Sequence, residues 1–390
     1  MAFDRKLNMG MIGGGPESFI GAVHGIAARM DGGIELVAGA FSRDPKKSKN
    51  AGRELLLDPD RVYGSYKEMI EKERDLPQGG RIDFVAITTP NNSHFQIARD
   101  FAEAGFHIMC EKPMTFNVEE ARKLQSIVKD SGVVFGLMHN YTGYPMVKLA
   151  RDIIRQGDLG NIRKIVVQYP QGWLSTALEQ TGNIQASWRT DPAQSGAAGS
   201  IGDIGTHAAN LVEYISGLKI SHICSELSIF VENRKLDDDG NCLLKFDSGA
   251  KGLLHVSQIA IGEENNLAVW IYGEKKALEW YQEHPNHLYI KEGDGPTQIW
   301  KRGNNYIAAK SPAADRATRL PFGHPEAFLE AFANNYCNFA DTVRAKIKGE
   351  APDNLMTDFP DVDDGVRGML FIESVIKSAK SDMKWTTMLT

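Results

Sequence analysis

The chain has 390 residues, of which 42% are hydrophobic and 24% are charged, and its formal net charge is −6. This composition is typical of a globular protein, and the length favours two domains over one. The negative charge argues against a nucleic-acid partner, and the absence of any run of about 18 apolar residues argues against a membrane-spanning helix.

The cysteines lie far apart and show no spacing typical of a metal site or of a disulfide framework; they are Cys110, Cys224, Cys242 and Cys337. This pattern predicts reduced thiols in a cytoplasmic protein without a bound metal. The N-terminal residues contain no long apolar stretch, so we expect no signal peptide.

Short apolar runs and helical patterns alternate over residues 1–143. The predicted strands are 7–13, 34–42, 82–90, 107–113 and 133–139. The predicted helices are 18–30, 65–75, 93–105 and 117–132, the last with Asn117 as N-cap and Gly132 as its stop. Strands that alternate with helices of this length predict an α/β fold with a doubly wound parallel sheet, which we assign to a first domain at 1–143.

The pattern changes over residues 144–390, which we assign to a second domain. A helix predicted at 144–162 is followed by many β-rich runs joined by tight turns, which predict a large, mostly antiparallel open sheet. One helix, 202–217, interrupts these runs. Further helices are predicted at 324–349 and 361–381, and these C-terminal helices are candidates to pack back on the first domain.

Four glycines, Gly13, Gly14, Gly15 and Gly21, span the junction of the first predicted strand with the first predicted helix. Glycine allows a sharp turn and a close approach to a pyrophosphate, and the helix N-terminus offers free N–H groups. This context favours dinucleotide binding over an ordinary glycine-rich turn, although the spacing is longer than GxGxxG. The candidate cofactor contacts here are Gly13, Gly15, Ser18, Phe19 and Ile20.

The end of the second strand bears on the choice between NAD and NADP. Ser42 stands where NAD sites usually carry an acidic residue, and Arg43 follows it, which leans towards NADP. Asp44 is close enough in sequence to reach the ribose, so NAD remains an alternative cofactor. The alternative for Arg43 is a solvated loop residue.

The segment TTPNNSH, residues 88–94, ends the third strand with small polar residues, which line the ligand crevice of a parallel sheet. Its candidate cofactor contacts are Thr88, Thr89, Pro90, Asn92 and His94, and Asn91 is a further candidate. For Asn92 and Ser93 the alternative is helix capping.

The segment HIMCEKPMT places Glu111, Lys112 and Pro113 at the end of the fourth strand, where we expect contacts with cofactor and substrate. A partly buried lysine can donate to a substrate oxygen and stabilise negative charge that develops on it. The alternative is a solvated ion pair at a strand end. Glu111 is expected to orient Lys112 or the nicotinamide side.

In GDIGTH, Asp203 and His207 are four residues apart, which places both on one face of a helix. A histidine beside a carboxylate is a candidate general base, and the alternative is a capping aspartate with a core histidine. Upstream, Trp188 and Arg189 are suited to stacking on and hydrogen-bonding a polyol.

The motifs together resemble the Gfo/Idh/MocA family, the relatives of glucose–fructose oxidoreductase and inositol dehydrogenase. The matching segments are 13–21, 88–94, 111–113, 157–162 and 202–207, in family order. The resemblance implies a Rossmann domain, a cis Lys–Pro bond, and a second domain whose open sheet forms a homodimer or homotetramer. It further implies that Lys112 binds the reacting hydroxyl, His207 is the base and Asp203 assists it. Residues implied to line the substrate pocket are His139, Tyr141, Trp188 and Arg189.

The sequence therefore predicts an NAD(P)-dependent dehydrogenase that acts on a secondary hydroxyl of a sugar, glycoside or cyclitol. One alternative is a hydrolase or lyase that uses bound NAD transiently. Another is a non-catalytic protein that senses a sugar or dinucleotide, against which the lysine–histidine pair argues.

Overall fold

A computed structural model describes residues 5–15 and 18–388. The chain forms two compact units. The first consists of Met1–Gly143 with Phe328–Val366, and the second of Tyr144–Ala327 with Arg367–Thr390. Residues 328–366 thus belong to the unit that contains the N-terminal part of the chain.

Fourteen strands and thirteen α-helices are present in the described residues. The strands are β1 Leu7–Gly13, β2 Ile34–Ala40, β3 Phe84–Thr88, β4 His107–Glu111, β5 Phe135–Met138, β6 Ile162–Pro170, β7 Ile220–Ser228, β8 Asp239–Phe246, β9 Lys251–Ser257, β10 Ala268–Gly273, β11 Lys276–Tyr281, β12 His287–Glu292, β13 Gln298–Lys301 and β14 Thr386–Thr387. The helices are α1 Phe19–Arg29, α2 Pro45–Glu54, α3 Tyr66–Asp75, α4 His94–Glu103, α5 Val118–Ser131, α6 Pro145–Arg155, α7 Ile184–Arg189, α8 Pro192–Ser195, α9 Thr206–Ser216, α10 Asn305–Lys310, α11 Pro312–Arg316, α12 Phe328–Lys348 and α13 Val362–Lys380.

The sheet of the first unit is parallel throughout, with the strand order β2-β1-β3-β4-β5. Beyond β2 the backbone of Val62 forms a single parallel bridge with Gly39, which marks a strand reduced to one residue. If this remnant is counted as a strand beside β2, the strand order matches that of the dinucleotide-binding Rossmann sheet. The predicted doubly wound Rossmann sheet is confirmed, and its order reverses between β1 and β3.

Local signals placed most elements of this unit correctly. The Asn117 side chain accepts a hydrogen bond from the N–H of Glu120 and so caps α5, and Gly132 ends that helix at a φ of 66°. No helix was predicted where α2 forms. Its signals were nevertheless present, since Asp44 caps it and Pro45 occupies its first turn.

The core of the first unit joins the sheet to α1 and to the distant α12. Phe339 lies edge-on to Phe84 of β3, with ring centroids 5.1 Å apart, and Tyr336 packs beside the same ring at 6.2 Å. These aromatic contacts bury large apolar surfaces, so α12 is an integral part of this unit.

The second unit is built on a nine-stranded sheet with the order β13-β12-β11-β10-β6-β9-β8-β7-β14. Only β6 and β9 run parallel, and every other pair is antiparallel. The large, mostly antiparallel sheet predicted from the sequence is confirmed.

One face of this sheet is left open. In β8 and β9 the burial alternates, with Leu244 and Leu254 buried, whereas Leu243 is 46% exposed and Leu253 is 39% exposed. The strand register aligns one residue from each of eight strands along this face, and all but the buried Glu279 are partly or fully exposed: Cys224, Leu243, Leu253, Val166, Trp270, Glu279, Tyr289 and Ile299. Seven of the eight are apolar, aromatic or cysteine.

Two predicted helices differ from the structure. The helix predicted at 144–162 ends at Arg155, because Gly157 and Gly160 adopt positive φ and β6 begins at Ile162. The helix predicted at 202–217 is a π-helical turn, Ile201–Gly205, that continues into α9. Within the described ranges, no helix has the length and apolar character needed to cross a bilayer.

Candidate functional site

The glycine turn after β1 is shaped for close backbone packing. Gly13 and Gly14 have φ values of 78° and 73°, which disfavour any other residue. A Cβ on Gly14 would lie 2.9 Å from Thr88 Oγ1, and one on Gly21 would lie 2.1 Å from the Cα of Gly14. The turn therefore sits tightly against α1, and a backbone without side chains at these positions lets a pyrophosphate approach closely. Residues 16 and 17 of this turn lie outside the described residues.

Helix α1 begins at this turn. The Ser18 hydroxyl caps it by accepting from the N–H of Gly21 at 3.2 Å, and the side chain of Phe19 is 63% exposed. The N–H groups of Phe19 and Ile20 belong to the first helical turn, where they have no partner further back in the helix. An anion placed here would also benefit from the helix dipole.

The turn after β2 carries the residues predicted to read the ribose. Ser42 Oγ accepts from the N–H of Asp44 at 3.1 Å. One carboxylate oxygen of Asp44 caps α2 through the N–H groups of Lys46 and Lys47. Arg43 is exposed, so its guanidinium is accessible to a ligand.

The turn after β3 is tied to β1. Thr88 Oγ1 donates to the carbonyl of Ile12 at 3.1 Å, and Thr89 and Pro90 are half-buried. Asn92 is exposed. The Ser93 hydroxyl bonds Thr89 Oγ1 and the carbonyl of Pro90 and makes no capping bond, so the capping alternative is wrong for Ser93.

His94 is fully buried below this turn. Its Nδ1 lies 2.9 Å from the carbonyl oxygen of Pro113, and its Nε2 lies 2.7 Å from that of Thr89. Burial lowers the pKa of the imidazole. A carbonyl oxygen lies beside each ring nitrogen, so His94 connects the turns after β3 and β4.

The end of β4 holds Glu111 and Lys112. Glu111 is 7% exposed, and its Oε2 accepts the backbone N–H of Lys112 at 3.1 Å. Its Oε1 lies 2.7 Å from Nε2 of His24 on α1. Lys112 is half-buried, and the Lys112–Pro113 bond is cis, as the resemblance implies.

The end of β5 brings two further candidates to the same edge of the sheet. His139 and Tyr141 are both buried, at 2% and 3% exposure. Burial, and then the positive charge of Lys112, lower the pKa of His139 to about 3. The imidazole is therefore neutral at physiological pH.

In the second unit the predicted substrate residues form one polar cluster. Asp203 Oδ2 accepts from Arg189 Nε at 3.1 Å and from Gln258 Nε2 at 2.9 Å. The Arg189 guanidinium carbon lies 4.2 Å from the ring centroid of Trp188 and 5.7 Å from that of Trp173. Two indoles and an oriented Arg–Asp pair are groups that bind polyols well.

His207 follows Asp203 by four residues in the chain. It lies in the first turn of α9 and is 8% exposed. The π-helical turn before it carries Asp203, and such turns occur frequently at functional sites. Asp237 anchors the start of the turn. Its carboxylate accepts from the N–H groups of Gly199 and Ile201 and from the Ser200 hydroxyl, at 2.7–2.8 Å.

Sequence reasoning missed five residues of these clusters: His24, Trp173, Asp237, Gln258 and Tyr336. Two carried a usable signal, because His24 interrupts an apolar helix and Gln258 is a polar residue that directly follows β9. The others gave none, because their partners are remote in the chain. No cluster of three or more metal-binding side chains exists among the residues that the structure describes.

Two family models match the chain. One, described as an oxidoreductase family with an NAD-binding Rossmann fold, covers residues 7–139. The other, the GFO/IDH/MocA C-terminal domain, covers residues 147–279.

Similar proteins match over most of their length. The uncharacterized oxidoreductase YfiI of Bacillus subtilis (strain 168) is 32% identical over 98% of this chain and 96% of its own. Levoglucosan dehydrogenase of Pseudarthrobacter phenanthrenivorans is 29% identical over 73% of this chain and 76% of its own.

Among solved structures, an inositol dehydrogenase homolog from Azotobacter vinelandii is 34% identical, with 98% of each chain covered. Its complex with NAD⁺ gives a TM-score of 0.93, and its complex with NADH and myo-inositol gives 0.89. The glycine turn, the strand order and the two matching domains lead to one conclusion: the chain belongs to the GFO/IDH/MocA family of NAD-binding oxidoreductases.

Proposed function

We propose that the protein is a dehydrogenase that transfers hydride between nicotinamide and a secondary hydroxyl of a sugar, glycoside or cyclitol. The first unit binds NAD or NADP, and the second binds the substrate. Levoglucosan dehydrogenase and the inositol dehydrogenase homolog support this substrate class, because their names describe polyhydroxylated rings.

The observation that carries the proposal is the cluster around Asp203. Its carboxylate is oriented by Arg189 and Gln258, and indole rings flank the guanidinium. Carboxylate oxygens accept from vicinal hydroxyls, and an indole packs against the C–H face of a sugar ring. The same turn leads directly into His207.

The proposed mechanism assigns each residue one task. His207 accepts the proton of the substrate hydroxyl. Asp203 orients the substrate ring that carries this hydroxyl. The Lys112 ammonium donates a hydrogen bond to the same oxygen and stabilises the negative charge that develops as the proton leaves. When bound, the nicotinamide supplies the acceptor for the hydride of the carbinol carbon, and the substrate becomes a ketone.

The test is a panel of cyclitols, sugars and glycosides with NAD and with NADP, followed by absorbance of the reduced cofactor. We expect turnover of at least one polyol, and a kcat roughly 10²–10⁴-fold lower for His207→Ala, because a positioned base contributes about that factor. A near-normal kcat in that variant would remove His207 from the mechanism. Release of an aglycone without net reduction of cofactor would identify a hydrolase or lyase instead.

For the cofactor, we propose that Arg43 binds the 2′-phosphate of NADP. It is exposed and directly follows Ser42, whose hydroxyl is neutral where a carboxylate would repel the phosphate. The Asp44 carboxylate already accepts hydrogen bonds at the start of α2, which leaves it less capacity to accept from the ribose hydroxyls of NAD.

We also propose a homodimer or homotetramer formed through the open face of the nine-stranded sheet. The aligned row described above exposes Leu243, Leu253 and Ile299 to solvent, and contiguous apolar surface of this kind favours a partner subunit. For the compartment we propose the cytoplasm, where the four cysteines, none of them in a disulfide, stay reduced.

A further inference from the structure

A buried chain of hydrogen bonds runs beneath Lys112. His24 is 0% exposed and lies between two polar groups: its Nδ1 is 2.6 Å from the hydroxyl of Tyr336, and its Nε2 is 2.7 Å from Oε1 of Glu111. The other carboxylate oxygen, Oε2, accepts the N–H of Lys112. We call Tyr336, His24 and Glu111 the relay; it joins α12, α1 and the end of β4.

The relay has one arrangement of protons that satisfies every group. Tyr336 donates to Nδ1 of a neutral His24, whose Nε2–H donates to the ionised Glu111, which accepts from Lys112. Burial, and then the charge of Glu111, raise the pKa of Tyr336 well above its usual value, so its hydroxyl keeps the proton that it can donate to His24. A protonated imidazole would need the Tyr336 oxygen as acceptor and would leave the phenolic proton without the partner it has here.

The packing around the relay holds the imidazole in place. The His24 ring meets Phe332 edge-on at 5.3 Å and Tyr336 at 5.7 Å, both on α12. Phe332 and Tyr336 are four residues apart on one face of α12, and a ring packed against that face directs its Nε2–H at Glu111 Oε1. A buried carboxylate that lost this donor would turn towards another one, because an unsatisfied buried charge is costly.

We propose that His24 is a positioning residue, which acts through Glu111 to hold the backbone of Lys112 so that its ammonium meets the substrate oxygen. Tyr336 supports His24 from the other side. The inference rests on the proposed role of Lys112. It assigns to Glu111 the task of orienting Lys112.

The kinetic test compares His24→Leu, which removes both ring nitrogens, with His24→Gln, which keeps a donor near the Nε2 position. We expect His24→Leu to lower kcat roughly 10- to 100-fold, because small displacements of a catalytic group cost about that much. The Kd of NADH, measured by fluorescence, should change less than about threefold, and His24→Gln should recover most of kcat.

His107→Leu is the matched control, because His107 lies at the opposite end of the same strand and accepts the N–H of Val134. It should lower stability while kcat stays near the wild-type value. Equal losses of kcat in His24→Leu and His24→Gln, or an unchanged kcat in both, would overturn the positioning role.

A second readout needs no substrate. The ¹⁵N spectrum of the histidine-labelled protein should contain one pair of ring-nitrogen resonances typical of the neutral Nε2–H tautomer. This pair should be absent from the spectrum of His24→Leu. In Tyr336→Phe the Nδ1 resonance of the pair should shift. An imidazolium or an Nδ1–H tautomer there would overturn the relay. If no polyol in the panel is oxidised while the tautomer is as expected, the proposed function fails and the relay stands.

Discussion

Two histidines with lowered pKa values, the buried His139 and the half-buried His107, make this protein sensitive to acid. Burial lowers the pKa of His107 to about 4, and burial with the Lys112 charge lowers that of His139 to about 3. In the unfolded chain both titrate near 6.5. As the pH falls below about 6.5, these histidines therefore bind protons in the unfolded chain but not in the folded one, and the free energy of unfolding decreases.

We predict that His107→Gln flattens this acid response. The wild type should lose up to about 1.4 kcal/mol of unfolding free energy per pH unit from this residue between about pH 6.5 and its folded pKa. The glutamine does not titrate and can still accept the N–H of Val134. Urea unfolding at about pH 7.5 and about pH 5 measures the difference, and parallel losses in both proteins would contradict it.

A second residue-level prediction concerns the choice of cofactor. Arg43→Ala should raise the KM for NADP roughly 10- to 100-fold, because a charge-assisted hydrogen bond contributes about 1.5–3 kcal/mol, and should leave the KM for NAD nearly unchanged. Lys49→Ala, in the next helix, is the control. Equal effects on both cofactors would show that Arg43 does not read the 2′ position.

Among the elements, the π-helical turn Ile201–Gly205 depends on a carboxylate from another segment. Asp237 is 7% exposed and accepts from three donors at the start of the turn. Gly199 is packed so closely against this segment that a Cβ there would lie 2.1 Å from the carbonyl oxygen of Asp237. The turn that carries Asp203 is thus held by contacts that its own sequence does not contain.

We predict that Asp237→Ala lowers the unfolding free energy by roughly 2–4 kcal/mol, because it leaves buried donors without acceptors. Asp239→Ala is the matched control, since its carboxylate accepts an exposed hydrogen bond from the side-chain amide of Asn241, and it should change stability by less than about 0.5 kcal/mol. Urea denaturation of both variants gives the comparison. Similar losses would mean that the capping bonds contribute little.

For the whole molecule, the open face of the nine-stranded sheet is the surface through which we propose that copies associate. We predict that Leu253→Lys converts the wild-type oligomer to single chains, because a lysine buried in an apolar interface loses its hydration. Leu56→Lys is the control at a leucine that is 92% exposed in the first unit. Light scattering measures both masses, and a wild type with the mass of one chain would reject the interface.

The sequence by itself determined the features that depend on neighbours along the chain. Strand β1 begins and ends where the apolar run does, Asn117 and Gly132 bound α5 as predicted, and the glycine turn and GDIGTH motif lie at element ends. Periodicity, capping and turn chemistry act over a few residues, so a single chain displays them. The doubly wound sheet and the large antiparallel sheet followed from the order of these elements.

Only the tertiary structure decided which remote groups meet. His24 is 87 residues from Glu111 and 312 from Tyr336, and Ser200 is 37 from Asp237. The sequence made the C-terminal helices candidates to pack on the first domain, but only the contacts in the structure show that α12 completes the core of the first unit. Buried hydrogen bonds and core contacts require exact distances between separate segments, and no local pattern encodes those distances. The motifs therefore identified Lys112 and His207 as candidate catalytic residues and Glu111 as a candidate partner of Lys112, whereas His24 and Asp237 emerged only from the fold.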